Sequence, residues 1–482
     1  MPTTRRPGFH FTSRAGWIND PNGLIHFAGE THLFYQWSPR FGVNDPLSMH
    51  WCHAITHDFV TWEPLPMALP PDELGSPWSG SCVADVSNSS GLFETAVGGL
   101  VAVYTAHHPN GAERQCLAVS ADRGRTWAHH QGNPVLGDDT TRDFRDPKVF
   151  WHAPTGHWTM IVGVPHRLYT SPDLKKWTLS QELPFKSECP DLLPVPIEGE
   201  TGERWLLNLG GREYVIGQFD GEHFTPDGPA RPVDGGPDFY APQAWNDLPP
   251  LTEAERAHSP AGCADHARRA VWIGWMNNWQ YAKAVPHFGA WGVFSIPREL
   301  TLRRHADGAL RLIQRPVREL GQKAQPQAVT GGDASEDDVL ARGRRFVLDL
   351  RLRVAPGDCC GVQVFMATDE VELPPEDPTA AGADSHGLWV GFDDARKCWF
   401  LVRQPEEQSL PPGRFEWPVE DAGSGGERRL RLVLDECVLE AFADDGAVVF
   451  SSQVFAPFGN DLSMWFSGND KSQASGERRD LA

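Results

Sequence analysis

Long hydrophobic runs are absent from this 482-residue sequence. No apolar stretch approaches the ~18 residues that a membrane-spanning helix requires. The first residues, Met1-Pro-Thr-Thr-Arg-Arg-Pro7, carry charge but have no apolar segment behind them, so they do not resemble a signal peptide. We therefore expect a protein that has no membrane contact and works in the cytoplasm.

Basic residues are in deficit, with 43 Lys and Arg against 64 Asp and Glu and a formal net charge of −21. Nucleic acids and anionic membranes are bound through clustered cationic side chains, so both are excluded as expected partners. The sequence also has no glycine-rich phosphate loop and no Gly-x-Ser-x-Gly nucleophile elbow. This balance favours a neutral small molecule or oligosaccharide as the substrate.

Cysteine gives no disulfide pattern. The nine cysteines are odd in number, have no regular spacing and include the adjacent pair Cys359-Cys360. This distribution is typical of reduced thiols rather than of a disulfide framework.

A cluster of His50, Cys52, His53 and His57 raises the alternative of a metal site. If this segment is a strand, His50 and Cys52 share one face while His53 points to the other. No second ligand pair follows at the spacing of a zinc ribbon. We therefore expect no metal and no other cofactor.

Turn residues and tryptophan are abundant, with 47 Gly, 41 Pro and 19 Trp. Between the turns lie short apolar, β-branched or aromatic runs such as Leu100-Val-Ala-Val-Tyr-Thr105 and Trp158-Thr-Met-Ile-Val-Gly163. No long stretch has the 3.6-residue period of an amphipathic helix. These features predict an all-β protein in which most tryptophans are packing residues.

A degenerate repeat places an Asp four or five residues before a Trp. It occurs in His57-Asp-Phe-Val-Thr-Trp62, Ser120-Ala-Asp-Arg-Gly-Arg-Thr-Trp127 and Thr170-Ser-Pro-Asp-Leu-Lys-Lys-Trp177, whose tryptophans are 65 and 50 positions apart. The Asp can bond the backbone of its own turn, and the Trp can pack into the sheet. This spacing is near the length of a four-stranded propeller blade with long loops. The alternative is coincidence in a Trp-rich chain.

The pattern changes in the last third of the chain. The polar, turn-rich Gly331-Gly-Asp-Ala-Ser-Glu-Asp-Asp338 is typical of a loop. Beyond it, Arg345-Phe-Val-Leu-Asp-Leu-Arg-Leu-Arg-Val354 alternates charged and apolar residues, as half-buried strands do. The length of the chain also favours two domains. We predict a propeller at 1–303, a junction at 304–344 and a β-sandwich at 345–482.

Three strings place a carboxylate close to a proline: Trp17-Ile-Asn-Asp-Pro-Asn-Gly23, Phe144-Arg-Asp-Pro147 and Ser187-Glu-Cys-Pro-Asp191. In a propeller the innermost strands line the central channel, so carboxylates at their starts meet at one mouth. Carboxyl groups that meet in a pocket take different pKa values, giving an ionised nucleophile and a protonated acid. Cleavage of a glycosidic bond needs such a pair. The alternative is that these carboxylates only stabilise turns.

These strings resemble the motifs of glycoside hydrolase family 32, the invertases, inulinases and levanases. Further similar strings follow in the family's order: His32-Leu-Phe-Tyr-Gln36, Met49-His-Trp-Cys-His-Ala54, Trp78-Ser-Gly-Ser81, Gly274-Trp-Met-Asn-Asn-Trp-Gln-Tyr281, Pro297-Arg-Glu-Leu300 and, more weakly, Leu432-Val-Leu-Asp-Glu-Cys-Val-Leu-Glu-Ala-Phe442. The resemblance implies a five-bladed β-propeller followed by a C-terminal β-sandwich. It also implies retaining hydrolysis of terminal non-reducing β-D-fructofuranosyl units.

By position, the resemblance makes Asp20 the nucleophile, Glu188 the general acid/base and Asp146 the carboxylate that holds the fructosyl hydroxyls. Substrate-binding residues are expected at Asn19, Gln36, Trp78, Ser79, Arg145, Tyr240 and Trp275. Cys189 is an alternative nucleophile in principle, because a cysteine with a nearby histidine can attack. Its expected role is instead packing or hydrogen bonding that tunes the acid.

The implied activity is that of an exo-acting β-fructosidase on sucrose, inulin-type or levan-type chains. Two segments depart from the family's pattern: Val43-Asn-Asp-Pro-Leu-Ser48 lacks a usual Trp, and Phe288-Gly-Ala-Trp-Gly292 lacks a usual Arg. We expect both near the pocket rim, which leaves open a fructosyltransferase on the same scaffold. A non-catalytic fructan-binding propeller is the alternative outside catalysis. The sandwich either packs only on the propeller or also supplies a homodimer contact.

Overall fold

The computed structural model describes residues 4–40, 46–253, 268–322, 324–331, 339–366, 387–405, 410–419, 425–455, 462–468 and 471–481. Within these ranges the chain forms 33 β-strands and one short 3-10 turn, Asp444–Gly446. No helix in this part of the chain is long and apolar enough to cross a membrane.

Five antiparallel sheets follow one another along the first two thirds of the chain, each built from strands that pair in chain order. Their strands are β1 (Trp17–Phe27), β2 (Glu30–Ser38), β3 (His50–Thr56), β4 (Glu63–Leu69); β5 (Ser76–Asp85), β6 (Gly99–His107), β7 (Glu113–Ser120), β8 (Ala128–His129); β9 (Arg145–His152), β10 (His157–Gly163), β11 (Arg167–Ser171), β12 (Thr178–Glu182); β13 (Pro190–Pro196), β14 (Glu203–Leu209), β15 (Glu213–Phe219), β16 (Phe224–Pro226), β17 (Arg231–Pro232); and β18 (Tyr240–Ala244), β19 (Val271–Trp275), β20 (Arg298–Arg304), β21 (Leu310–Pro316). The short β17 adds to the fourth sheet by pairing with β15.

These sheets form a ring of blades around a central channel. The first strand of each sheet contacts the first strand of the next, and β18 contacts β1. Backbone bonds close the ring, since Ile18 N donates to Trp291 O at 2.9 Å and His26 N donates to Asn246 O at 2.9 Å. A separate apolar cluster fills each gap between adjacent blades, which buries the strands on both faces. The prediction of a β-propeller is confirmed.

The Asp of the tryptophan repeat lies in the turn between the third and fourth strands of a blade. In each such turn a carboxylate oxygen accepts hydrogen bonds from backbone N–H groups of its own turn at 2.7–3.0 Å. The predicted role of these residues is confirmed at Asp58, Asp122 and Asp173. The two blades that lack the Trp carry the same bond, at Asp220 and Asp307.

Two six-stranded antiparallel sheets form the second domain. In spatial order, the first contains β22 (Gln327–Gly331), β33 (Gln473–Asp480), β24 (Arg345–Val354), β29 (Gly426–Asp435), β30 (Val438–Ala443) and β31 (Val448–Gln453), and the second contains β23 (Val339–Gly343), β32 (Leu462–Ser467), β25 (Cys359–Met366), β26 (Gly387–Asp393), β27 (Cys398–Gln404) and β28 (Gly413–Pro418). One apolar core lies between them, as the period-two pattern predicted. The predicted β-sandwich is confirmed.

The boundary between the domains lies later than predicted. β21 pairs with β20 along its whole length, so the fifth blade extends to Pro316. β22 and β23 already belong to the sandwich. The prediction of a junction at 304–344 was therefore wrong, because both ends of that segment form strands. The polar string that suggested the junction falls largely on residues 332–338, outside the described residues.

A buried ionic network joins the two domains. The Arg298 guanidinium in β20 donates to Oε2 of Glu440 in β30 at 2.9 Å and to Oδ2 of Asp234 at 3.0 Å. His10 lies between Asp435 and Glu440, with ring nitrogens 3.0 and 2.9 Å from their carboxylate oxygens. These charges have almost no access to solvent, so each depends on its partner in the other domain or on its own side of the interface for compensation.

Candidate active site

One mouth of the propeller channel contains a pocket of about 290 Å³. Its lining residues are Asn19, Asp20, Gln36, Pro46, Met49, Trp78, Ser79, Arg145, Asp146, Glu188, Tyr240 and Trp279. Asp20 lies in β1, Ser79 in β5, Asp146 in β9 and Tyr240 in β18, while Glu188 immediately precedes β13. Every blade therefore contributes to one site through its innermost strand or the segment just before it, and the three predicted carboxylates meet there.

Asp20 is held in the pocket by Ser79. Its Oδ2 accepts a hydrogen bond from Ser79 Oγ at 2.7 Å, whereas its buried Oδ1 has no hydrogen-bond partner among the described residues. Burial raises the pKa of Asp20, and the charge of Glu188 adds to the shift. An unpaired buried carboxylate oxygen is costly in a purely structural role, so it points to a function in the pocket.

Asp146 is held by hydrogen bonds with the Thr105 hydroxyl and the backbone of Cys189. Its N–H donates to Thr105 Oγ1 at 3.0 Å, and its Oδ2 accepts from the N–H of Cys189 at 3.0 Å. Burial, followed by the charges of Glu188 and Asp20, raises its pKa to about 7. Near neutral pH Asp146 therefore carries a proton part of the time, and it can both donate and accept hydrogen bonds.

Glu188 has a different environment, since its side chain is 41% exposed at the mouth of the pocket. Arg145 holds Oε1 through Nε and Nη2 at 3.2 and 3.1 Å, and Tyr240 donates its hydroxyl to Oε2 at 2.5 Å. Both oxygens are thus fixed by groups that leave the carboxyl open towards the cavity. Asp20 and Glu188 thus lie in unequal environments, and Glu188 is the carboxyl that a leaving group and a water molecule can reach from the mouth.

Cys189 joins the two buried carboxylates. Its Sγ lies 3.5 Å from Oδ2 of Asp20 and 3.5 Å from Oδ2 of Asp146. Burial and the neighbouring carboxylates raise the pKa of this thiol well above its ordinary value, so it stays protonated. A protonated thiol is a poor nucleophile, which removes the alternative of cysteine catalysis. We had expected Cys189 to tune the acid Glu188, but its thiol contacts the two aspartates instead.

The backbone is strained at this mouth of the channel. Asp146, Cys189 and Ala241 have φ values of 63°, 47° and 48°, in the left-handed region that residues other than glycine seldom adopt. Each lies at or next to the start of an innermost strand. Such strain persists where the surrounding structure fixes a functional geometry.

The side walls carry most of the predicted substrate-binding residues. Asn19, Gln36, Trp78, Ser79, Arg145 and Tyr240 all line the pocket. Gln36 donates through Nε2 to Pro77 O at 3.0 Å, and the ring of Trp78 stacks on His107 at a centroid distance of 3.7 Å. These contacts hold polar groups and an aromatic face towards the cavity, which suits a sugar ring.

Trp275 was predicted at the substrate but is fully buried and does not line the pocket. It is the last residue of β19 and packs on Trp17 and Trp279. Trp279, four residues later in the same string, is 36% exposed and forms the wall instead. Trp275 is enclosed because it ends β19, the second strand of blade 5, inside the apolar cluster between blades 1 and 5, whereas the loop after β19 reaches the mouth.

The two departures from the family's pattern are only partly placed by the structure. Residues 43–45 lie outside the described residues, although the adjacent Pro46 lines the pocket. Residues 288–292 do not line it. Phe288 and Ala290 are buried against Cys437 and Val438 of the sandwich, while Trp291 packs on the apolar cluster that includes Trp78 and Tyr240.

The channel is closed beneath the pocket by polar side chains. Lys148 in β9 donates through Nζ to Ala244 O at 2.6 Å and lies 3.2 Å from Oδ2 of Asp191 in β13. Asn246 donates to Cys82 O and Val149 O at 3.0 and 2.9 Å. These bonds link four blades across the channel, so the pocket is a blind cavity open at one mouth.

The histidine and cysteine cluster does not converge on one point. His53 Nε2 lies 2.9 Å from His32 Nδ1 inside blade 1, whereas His50 bonds Ser48 O on the other face of β3. Among the described residues, no three His, Cys, Asp or Glu side chains form a group that could hold a metal ion.

Comparison with known proteins gives one family. The model of the glycosyl hydrolases family 32 N-terminal domain matches residues 10–316, and that of the family 32 C-terminal domain matches residues 319–477. A levanase of Bacillus subtilis is 35% identical over 478 residues, which cover 92% of this chain and 66% of the levanase. The chain thus spans a little under two thirds of the length of that relative.

Two solved structures resemble the chain over almost its whole length. A fructofuranosidase of Schwanniomyces occidentalis complexed with fructosylnystose has a TM-score of 0.81 and 25% identity, covering 99% of this chain and 98% of its own. An exo-inulinase of Aspergillus awamori has a TM-score of 0.81 and 26% identity, with the same coverage.

Proposed function

Since the chain belongs to glycosyl hydrolases family 32, as its motifs predicted, we propose that it is a retaining, exo-acting β-fructofuranosidase acting on sucrose and fructans. The observation that carries the proposal is the meeting of Asp20, Asp146 and Glu188 in one blind pocket. The names of its relatives, which include a levanase and an exo-inulinase, support the substrate class.

In the first step, the Glu188 carboxyl gives its proton to the oxygen between the fructosyl unit and the rest of the substrate. The bond from that oxygen to the anomeric carbon breaks, and the free Oδ1 of Asp20 attacks the anomeric carbon. The products are a fructosyl ester on Asp20 and the departing alcohol, which is glucose when sucrose is cleaved. The two carboxyl groups act as acid and nucleophile on opposite sides of the bond.

In the second step, Glu188 takes a proton from water, and the resulting hydroxide attacks the anomeric carbon. The ester bond breaks, fructose leaves with its original configuration, and Asp20 is ionised again. Arg145 and Tyr240 hold the Glu188 oxygens throughout, so the carboxyl can change from acid to base without moving. The accessible position of Glu188 admits the attacking water from the mouth.

Asp146 and Arg145 are proposed to bind the fructosyl ring, with Asn19, Gln36 and Ser79 around it. Their polar atoms line the pocket, and a partly protonated Asp146 suits neighbouring sugar hydroxyls. Hydrogen bonds that strengthen as the ring gains positive charge favour the transition state over the bound substrate.

The blind pocket supports action on a chain end. Lys148, Asp191 and Asn246 close the channel beneath the carboxylates, so a fructan chain cannot pass through it. At about 290 Å³ the cavity is at the small end of the range for ligand sites. A terminal fructosyl unit therefore enters, and the rest of the substrate stays outside.

The test is the release of sugars from sucrose, inulin and levan by the intact protein, with Glu188→Gln and Asp20→Asn as controls. We expect free fructose from the first minutes, no intermediate oligosaccharides from inulin, and loss of turnover by several orders of magnitude in both variants. Added methanol should trap the ester as methyl β-fructofuranoside, which demonstrates retention. No release from any of the three sugars contradicts the proposal, and transfer products in excess of fructose identify a fructosyltransferase.

We also propose that the protein acts in a reducing compartment such as the cytoplasm. The eight cysteines within the described residues are all free thiols, which supports this location.

A further inference from the structure

A glutamate outside the pocket is tied to the proposed acid/base. We propose that Glu113 is a positioning residue that holds Arg145 against Glu188 and shares the charge of its guanidinium, and so sets the pH range of catalysis. This inference rests on the proposed function of Glu188. Glu113 begins β7, the third strand of blade 2, and does not line the pocket.

The Glu113 carboxylate is almost fully enclosed, with 6% of its side chain exposed. Oε2 accepts hydrogen bonds from Phe144 N at 2.7 Å and from Arg145 Nη1 at 3.1 Å. Burial alone would raise the pKa of Glu113, but His107, the Phe144 N–H and Arg145 together hold it below its ordinary value. Glu113 is therefore an ionised group that fixes both the backbone and the side chain at the start of β9.

Arg145 divides its guanidinium between two carboxylates. Nη1 faces Glu113 at 3.1 and 3.2 Å, while Nε and Nη2 face Glu188 Oε1 at 3.2 and 3.1 Å. A planar guanidinium that is held on one edge presents its other edge in a fixed direction. The orientation of Arg145, and through it that of Glu188, therefore depends on Glu113.

The same carboxylate also reaches the aromatic wall of the pocket. His107 Nδ1 lies 3.6 Å from Glu113 Oε1, and the His107 ring stacks on Trp78 with an interplanar angle of 6°. Trp78 is fixed on its other side, where Nε1 donates to Pro46 O at 2.9 Å. One chain of contacts thus runs from the wall at Trp78 to the carboxyl at Glu188.

The charges around this chain determine the effect of removing Glu113. Glu188 faces Arg145 and Asp146 from β9, Asp20 from β1, Tyr240 from β18 and the thiol of Cys189.

Glu113 faces His107 from β6 and Arg145 from β9, and Arg145 also has the exposed Asp143 at 3.3 Å. Without the Glu113 charge, the guanidinium is less compensated and favours the ionised form of Glu188. Catalysis then loses its acid at a lower pH.

The experiment measures the pH dependence of kcat/KM on sucrose for the wild type, Glu113→Gln and Glu113→Asp. The matched control is Glu198→Gln, because Glu198 has a similarly enclosed side chain, 7% exposed, and pairs with Arg315 at 2.8 Å away from the pocket. We expect the alkaline limb to move about half to one pH unit lower in Glu113→Gln. In Glu113→Asp the limb returns most of the way to its wild-type position, and in Glu198→Gln it does not move.

A second readout does not need turnover. Glutamate labelled with 13C at the carboxyl gives an NMR titration of Glu188, whose signal is identified by its loss in Glu188→Gln. We expect the midpoint to fall in Glu113→Gln as the alkaline limb does. A lower melting temperature with an unchanged limb and midpoint overturns the inference and leaves Glu113 a structural residue. If no sugar is cleaved but the midpoint still falls, the proposed function fails while the coupling of Glu113 to Glu188 stands.

Discussion

Replacing His10 by glutamine tests how the N-terminal segment fastens the two domains. His10 has no exposed side-chain surface, and its two ring nitrogens lie 3.0 Å from Asp435 Oδ2 and 2.9 Å from Glu440 Oε1. Glu440 also binds Arg298 of blade 5. Burial alone would lower the pKa of His10, but hydrogen bonds and charges of Asp435 and Glu440 raise it to about 9. The folded protein therefore binds the His10 proton more tightly than the unfolded chain does.

The magnitude follows from this difference. The unfolded histidine titrates near 6.5, the ordinary value, and the folded one near 9. At about 1.4 kcal/mol per pH unit, protonated His10 contributes about 3 kcal/mol to the free energy of unfolding. Because the folded pKa is the higher one, this contribution is complete below pH ~6.5 and is lost as the pH rises towards ~9. Above that range the neutral ring lies between two carboxylates whose negative charges it cannot compensate.

The assay compares the denaturant midpoint of the wild type and His10→Gln at pH 6, 7, 8, 9 and 10. We expect the wild type to be more stable at pH 6 and its advantage to shrink by about 3 kcal/mol over the higher values. The difference between the two proteins removes the contributions of other titrating groups, which both share. An advantage that stays constant from pH 6 to pH 10 would refute the reasoning, because it would show that His10 acts only through packing.

Two further predictions concern the pocket and the domain interface. Tyr240→Phe removes the hydrogen bond to Glu188 and, since that carboxyl is partly exposed, should cost about 1–2 kcal/mol in the transition state, lowering kcat/KM on sucrose about 5- to 30-fold. An unchanged kcat/KM would show that Arg145 alone holds the acid. Arg403→Gln leaves the buried Asp238 without its ion pair and should cost about 3–5 kcal/mol in denaturant unfolding. The exposed Arg351→Gln is its control and should stay within about 0.5 kcal/mol; equal effects of the two changes would contradict the role of the pair.

The sequence predicted those parts of the site that lie in local strings. Asp20, Asp146 and Glu188 each lie within two positions of a proline near the start of an innermost strand, so the propeller brings them to one mouth. The role of the Asp in the turn between the third and fourth strands was also predictable, because an aspartate that bonds its own turn needs only residues close in sequence. These features depend on local chemistry and on one assumption about the fold.

Glu113 and Trp279 could not be assigned in this way. Glu113 lies 32 residues from Arg145 in a strand with no motif of its own, and only the packing of blade 2 against blade 3 joins them. Trp279 belongs to the same motif as Trp275, four residues earlier, and the motif alone predicted Trp275 as the substrate-binding residue. Which of two tryptophans faces the cavity depends on where β19 ends, and the spacing of residues does not reveal that point.

The closure of the ring has a consequence for the order in which the protein is made. Blade 1 is the first blade to emerge from the ribosome. One of its faces packs on blade 2, and the other packs on blade 5, through bonds such as Ile18 to Trp291 and His26 to Asn246. Some 270 residues must be synthesised between Ile18 and Trp291, and about 220 between His26 and Asn246. Until then, Trp17 and Ile18 belong to an unsatisfied edge that invites association with other chains. The active site is therefore one of the last parts of the molecule to exist, and a nascent chain that stalls before blade 5 carries Asp20 on an open flank instead of in a pocket.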